Sequence, residues 1–147
     1  EAESLAYVKI DKQRMTQVFM NLVLNAIQAI PPDQAEKKID ILFQEEKSFV
    51  LVKIKDNGVG IAKENLDKLF TPFFTTKKMG TGLGLSIVHR IIEEHLGKIS
   101  VQSSLEQGTT FSIWLPKAQD TEEFLAKIED GTANTHPLID LATISVN

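Results

Sequence analysis

Asp56 closes an apolar run, "SFVLVKIKD" (48–56), and has the same parity as Val50, Val52 and Ile54. A carboxylate on that face loses its water and needs hydrogen-bond donors in exchange. Gly58 and Gly60 follow at once. Their missing Cβ atoms let a flat group come close to the backbone. A purine's exocyclic amino group meets both conditions. The competing reading is simpler: a strand, then a glycine turn with Asp as turn former.

Two further clusters carry possible chemistry. Asn21 and Asn25 are four apart on a helical stretch, so they share one side. They can be boundary residues beside an apolar face, or two amide oxygens aimed at one cation or ligand. Gly80, Gly82 and Gly84 alternate with Thr81 and Leu83 and run into an apolar helix. A glycine loop at a helix N-terminus offers free N–H groups and the positive end of the dipole, which suits phosphates. The spacing alone is a weak signal. A dinucleotide-fold fingerprint would need a strand immediately before it, and the segment there is rich in Phe and Thr and contains Pro72. No G-x-x-x-x-G-K-[ST] loop is present.

These residues need a scaffold. "DKQRMTQVFMNLVLNAIQAI" (11–30) reads as a helix with Asp11 as N-cap and Pro31-Pro32 as the stop. Met15, Val18, Phe19, Leu22, Val23, Ala26, Ala29 and Ile30 form its apolar face. "KIDILFQ" (38–44) and "SFVLVKIKD" alternate as strands. A short amphipathic helix is expected at 65–70, a longer one over Leu85 to Leu96 closed by Gly97, and a final hairpin from 98–104 and 109–116 around Gly108.

The chain has 147 residues, enough for one domain with a real core. Its net charge of −4 gives no electrostatic reason to expect nucleic acid. Without cysteine there is no disulfide framework and no thiolate metal site, which points to a reducing compartment. No apolar run approaches a membrane span, so no membrane contact by this piece is expected. The start at Glu1 suggests a fragment of something longer.

Taken together, the pieces resemble the ATP-binding catalytic domain of sensor histidine kinases, within the class that includes gyrase, Hsp90 and MutL-type ATPases. "NLVLNAIQA" (21–29) resembles the N box, "DNGVGI" (56–61) the first glycine box, "LFTPFFTTK" (69–77) the F box and "GTGLGLSIV" (80–88) the second glycine box. "GTTFSIWLP" (108–116) is similar to the family's last strand. The resemblance covers about residues 8–117 and weighs against the bland readings of Asn21, Asn25 and Asp56. It implies an α/β sandwich, a mixed and mostly antiparallel sheet with helices packed on one face.

By resemblance, Asp56 accepts from the adenine amino group, while Gly58 and Gly60 admit the base and hinge the lid. Asn25 binds Mg²⁺ bridging the phosphates, Asn21 sits beside them, and Lys77 is a candidate phosphate contact. Gly82 and Gly84 supply backbone donors. Gly80, Thr81, Leu83, Leu85 and Ile61 complete the ATP site. Phe70, Phe73 and Phe74 anchor the lid, which is short: only "TTKKM" separates Phe74 from Gly80. Thr109 or Thr110 supports the adenine through water. The compact lid resembles that of the nitrogen-regulatory kinases.

Hydrolytic relatives carry a water-activating Glu four residues before the metal-binding Asn. Here that position is Asn21, a poor general base, which favours transfer to a protein nucleophile. Within the fold, the alternatives are a hydrolase, a serine kinase or a regulatory nucleotide-binding module. None of His89, His95 and His136 has the context of a phosphoacceptor. The implied partners are therefore a separate histidine-bearing dimerisation domain and a response regulator receiver domain, with ATP and Mg²⁺ as cofactors and a cytoplasmic location. Residues 1–117 are expected to form the catalytic domain. Residues 118–147 form a tail with a short helix (121–128) and a strand-like end, Leu138 to Val146, which either adds to a sheet edge or stays unstructured. A strand usual before the N box has only "SLAYVKI" (4–10) to supply it.

Overall fold

A computed structural model describes residues 6–77 and 80–131. Asp11 caps the first helix, α1 (Lys12–Ala29): its carboxylate accepts from the Arg14 amide at 3.0 Å. Pro31 follows the end of α1, and the chain returns as β1 (Ile39–Glu45) and β2 (Phe49–Asp56). Then come α2 (Lys63–Leu66), α3 (Gly84–Glu94), the hairpin β3 (Lys98–Ser103) and β4 (Thr109–Pro116), and α4 (Ala118–Glu129). The four strands form one sheet in the order β1-β2-β4-β3, and each neighbouring pair is antiparallel.

Alternation sends Val52, Ile54, Phe111, Ile113 and Ile99 to the face covered by α1 and α3. Met15, Val18 and Leu22 of α1 meet Val88, Ile91 and Ile92 of α3 above them. Leu22, Ile54, Ile92 and Ile113 are among the fully buried side chains, each worth about 1.5–3 kcal/mol of transfer free energy. At one end of the sheet this apolar face turns polar. Ile39, Asp56, Thr109 and Ser103 are register partners across all four strands.

Several boundaries differ from the sequence expectation. The short helix is α2, over Lys63–Leu66, and 65–70 is mostly turn. The next helix starts at Gly84 and ends at Glu94, because Leu96 takes the left-handed conformation (φ 58) and Gly97 N–H bonds back to Ile92 C=O. Gly97 itself answers to packing: a Cβ there would lie 2.7 Å from the Trp114 carbonyl oxygen. The segment before α1 makes an isolated antiparallel bridge, Val8 with Lys117, rather than a full strand. α4 is longer than expected, and the segment Leu138 to Val146 lies outside the described residues. No helix among the described residues is long and apolar enough to cross a membrane.

Candidate functional site

The polar end of the core opens into a cavity of about 380 Å³. α1 forms one wall with Asn21, Leu24, Asn25 and Gln28, and Asp56 and Thr109 lie at its floor. Gly60 and Ile61 lie along one side, and the stretch from Phe74 to Gly82 along another. The start of α3 contributes Gly84 and Leu85. The elements far apart in sequence meet here because α1 and α3 pack side by side over β2 and β4.

Asp56 is only 3% exposed. Desolvation raises its carboxyl above the ordinary value of 3.8, opposed by hydrogen bonds from the backbone N–H groups of Gly58 and Thr109. The Gly58 bond is 2.8 Å long. Beside it, the Ser103 hydroxyl accepts from Ile61 N–H at 2.8 Å, donates to Gly108 C=O at 2.9 Å and lies 2.8 Å from Thr109 Oγ1. A serine hydroxyl has a single hydrogen. With that hydrogen on Gly108, the Thr109 hydroxyl donates to Ser103 and turns lone pairs to the cavity. The floor therefore presents acceptors, and apolar walls from Ile61, Leu69, Val59 and Phe111 flank it.

The opposite end is suited to anions and cations. Asn21 spends its amide N–H on Gln17 C=O, and its Oδ1 faces Gly84, where a Cβ would stand 3.2 Å away. Lys77 Nζ donates to Asn25 Oδ1 at 2.8 Å and to Gln28 Oε1. Loss of water around that ammonium lowers it below the usual lysine range, although the residue as a whole is exposed. α3 has no side-chain N-cap, since Ser86 Oγ donates to Leu83 C=O instead, and its first residues point their N–H groups toward the cavity. The Asn25 and Gln28 oxygens are hard ligands of the kind Mg²⁺ takes when phosphates and waters supply the rest of its shell. No cluster of three or more His, Cys, Asp or Glu that could hold a metal alone occurs among the described residues.

Asn21, Asn25, Asp56, Gly60, Ile61, Lys77, Gly80, Thr81, Gly82, Gly84, Leu85 and Thr109 all line the cavity. Gly58, Phe70, Leu83 and Thr110 do not. Gly58 is turned to α1, where a Cβ would meet the Ala29 carbonyl oxygen at 2.3 Å, so its bareness serves helix–sheet contact rather than base approach. Gly60 (φ 71) is likewise pressed on Ser104 C=O. Thr110 faces the other side of the sheet, as alternation from Thr109 requires. Phe70 packs on His89 and Phe111 with ring centroids 5.3 and 6.5 Å away, and Phe73 is 76% exposed. What Phe73 contributes is backbone: its N–H donates to Gly82 C=O, and Gly82 (φ 72) has no room for a Cβ against it.

Gln28, Ser103, Thr75 and Asn57 escape the motif reading. Gln28 follows Asn25 by three and so lies on the same helix face, and Ser103 is set opposite Thr109 by the hairpin. Thr75 Oγ1 accepts from Lys77 N–H. Asn57 ties the α1–β1 connection, accepting from Lys38 N–H and donating to Glu36 C=O. His89 pairs with Glu93, and His95 accepts from Asp11 N–H, so both serve the scaffold.

Residues 10–119 match the family described as histidine kinase-, DNA gyrase B- and HSP90-like ATPase. The sensor histidine kinase ZraS of Escherichia coli (strain K12) is 46% identical over 114 residues, which are 78% of this chain and 24% of ZraS. Sporulation kinase A of Bacillus subtilis (strain 168) is 42% identical over 111 residues, 76% of this chain and 18% of that protein. This chain thus spans about a quarter or less of these relatives. The catalytic domain of histidine kinase ThkA, solved nucleotide-free, superposes with a TM-score of 0.65 at 43% identity, covering 75% of this chain and 70% of that one. Full-length ShkA in complex with AMPPNP gives 0.67 at 26% identity, over 78% of this chain and 24% of that one.

Proposed function

The chain belongs to the histidine kinase-, DNA gyrase B- and HSP90-like ATPase family, with the catalytic domains of histidine kinases as its relatives, and on that premise we propose that it binds Mg-ATP and transfers the γ-phosphoryl group to a histidine of a separate dimerisation domain. The observation that carries this reading is the acceptor floor: Asp56 at 3% exposure, beside a Thr109 hydroxyl already spent as a donor. An exocyclic amino group satisfies that floor, whereas a carbonyl in its place would face lone pairs.

The rest of the cavity supports the same reading. The bare N-terminus of α3, with Gly82 and Gly84, suits the phosphates. Asn25 and Gln28 would hold Mg²⁺, which when bound neutralises phosphate charge. In the transfer, an imidazole nitrogen forms the new N–P bond, the bond from phosphorus to the ADP oxygen breaks, ADP leaves and the imidazole proton passes to solvent. Asn21 cannot take a proton from water, and the one carboxylate lining the cavity among the described residues, Asp56, lies at its floor. That favours transfer over hydrolysis.

On this reading residues 1–117 are the catalytic domain and residues 118–147 a separate tail. A response regulator receiver domain takes the phosphoryl group onward, and the chain works in the cytoplasm. The test is binding of a fluorescent ATP analogue with and without Mg²⁺, then transfer from labelled ATP to histidine-bearing helical hairpins. Saturable binding and an acid-labile phosphohistidine are expected. Binding without transfer to any hairpin, together with steady ATP hydrolysis, would replace the kinase reading with a hydrolase.

A further inference from the structure

Lys77 is the one cation that lines the cavity among the described residues, and it is held away from the glycine loop. Its Nζ donates to Asn25 Oδ1 at 2.8 Å and to Gln28 Oε1, both on α1 and three residues apart. The Asn25 oxygen is also the ligand that the resemblance assigns to the divalent ion. One amide oxygen is thus addressed by two cations.

We propose that Gln28 is a positioning residue that makes the site selective for metal-bound over metal-free nucleotide. This rests on the reading of the cavity as a Mg-ATP site. Gln28 and Asn25 together keep the Lys77 ammonium on α1 in the nucleotide-free protein. A divalent ion arriving on Asn25 repels that ammonium at short range and sends it to the phosphates, which are free to receive it. Metal-free nucleotide brings no such repulsion and must draw the lysine off two acceptors unaided. Gln28 therefore penalises the metal-free ligand in particular.

Gln28→Met keeps the side chain's length and removes the acceptor. It is expected to tighten binding of ATP in EDTA by about ten-fold, the scale of one hydrogen bond to a charged group, and to change Mg-ATP binding by less than about two-fold. In a Lys77→Met background the same substitution should leave metal-free binding unchanged. Nucleotide-free protein gives an independent reading: the side-chain amide resonances of Asn25 and Gln28 should move on Lys77→Met. An equal loss with and without Mg²⁺ in Gln28→Met overturns the inference, since Gln28 would then touch the nucleotide itself. So does an effect that persists without Lys77, or amide resonances that stay still. A parent protein that binds Mg-ATP while Gln28→Met leaves the metal preference untouched overturns this inference alone; a parent that binds no adenine nucleotide overturns the functional reading as well.

Discussion

Gly58 and Ala29 touch so closely that no side chain fits between them: a Cβ on Gly58 would lie 2.3 Å from the Ala29 carbonyl oxygen. The same carbonyl accepts from Val59 N–H at 2.9 Å. The end of α1 is thereby fastened to the turn that carries Asp56, so the wall with Asn25 and the floor with Asp56 move as one body.

Gly58→Ala should break that fastening. Backbone faces backbone there, so the clash cannot be relieved by a rotamer change, and a loss of about 1–3 kcal/mol is expected. The Asp56 bond to residue 58 should lengthen with it. Thermal unfolding and ATP titration check both effects; a mutant with the parent's melting temperature would show that α1 can retreat freely.

Asp56→Asn should weaken ATP binding by about 1.5–3 kcal/mol, as expected for a hydrogen bond to a charged group. It should also change stability with pH in a definite direction. Burial raises the folded carboxyl above 3.8, so the native chain holds this proton more tightly than the unfolded one. The stability linked to it is present in full below pH 3.8 and is lost as pH rises through the folded value. The substituted amide has no such proton to give up. Urea unfolding of mutant and parent should therefore show the mutant gaining relative stability as pH rises across that window, then levelling off. A difference that is flat in pH would rule out a desolvated carboxyl.

Asn25→Ala should reduce nucleotide binding more in Mg²⁺ than in EDTA, because one oxygen ligand of the metal is gone while the floor is intact. Equal losses in both buffers would argue against a metal role. At the neighbouring position, Asn21→Glu should raise hydrolysis relative to transfer by supplying the missing base. Phosphate release measured without any acceptor domain checks this, and no rise would mean that water does not reach the γ-phosphate.

Ser103→Ala should cost about 1–3 kcal/mol, since Ile61 N–H loses its partner in a part-buried place. The Thr109 hydroxyl, released from Ser103, can then donate into the cavity. Discrimination between adenine and guanine nucleotides should narrow, which competition binding of ATP against GTP would reveal; undiminished discrimination would remove Ser103 from the recognition of the base.

The local elements were legible in the sequence because they follow from local physics. Asp11 and Pro31 bound α1, and alternation places Val52, Ile54 and Asp56 on one face whatever the sheet does next. The glycine motifs announced where backbone must come close. Only the tertiary structure decided what it comes close to. Gly58 meets α1 and Gly60 meets Ser104, while Gly84 faces Asn21, and the spacing of the motif is silent on these partners. Ser103 and Gln28 stayed unread for the same reason. Their roles depend on a residue brought from across the chain, Ile61 for Ser103 and Lys77 for Gln28. A one-dimensional pattern records which groups want partners; the packing of α1 and α3 on the sheet sets the distances that decide which partner each one gets.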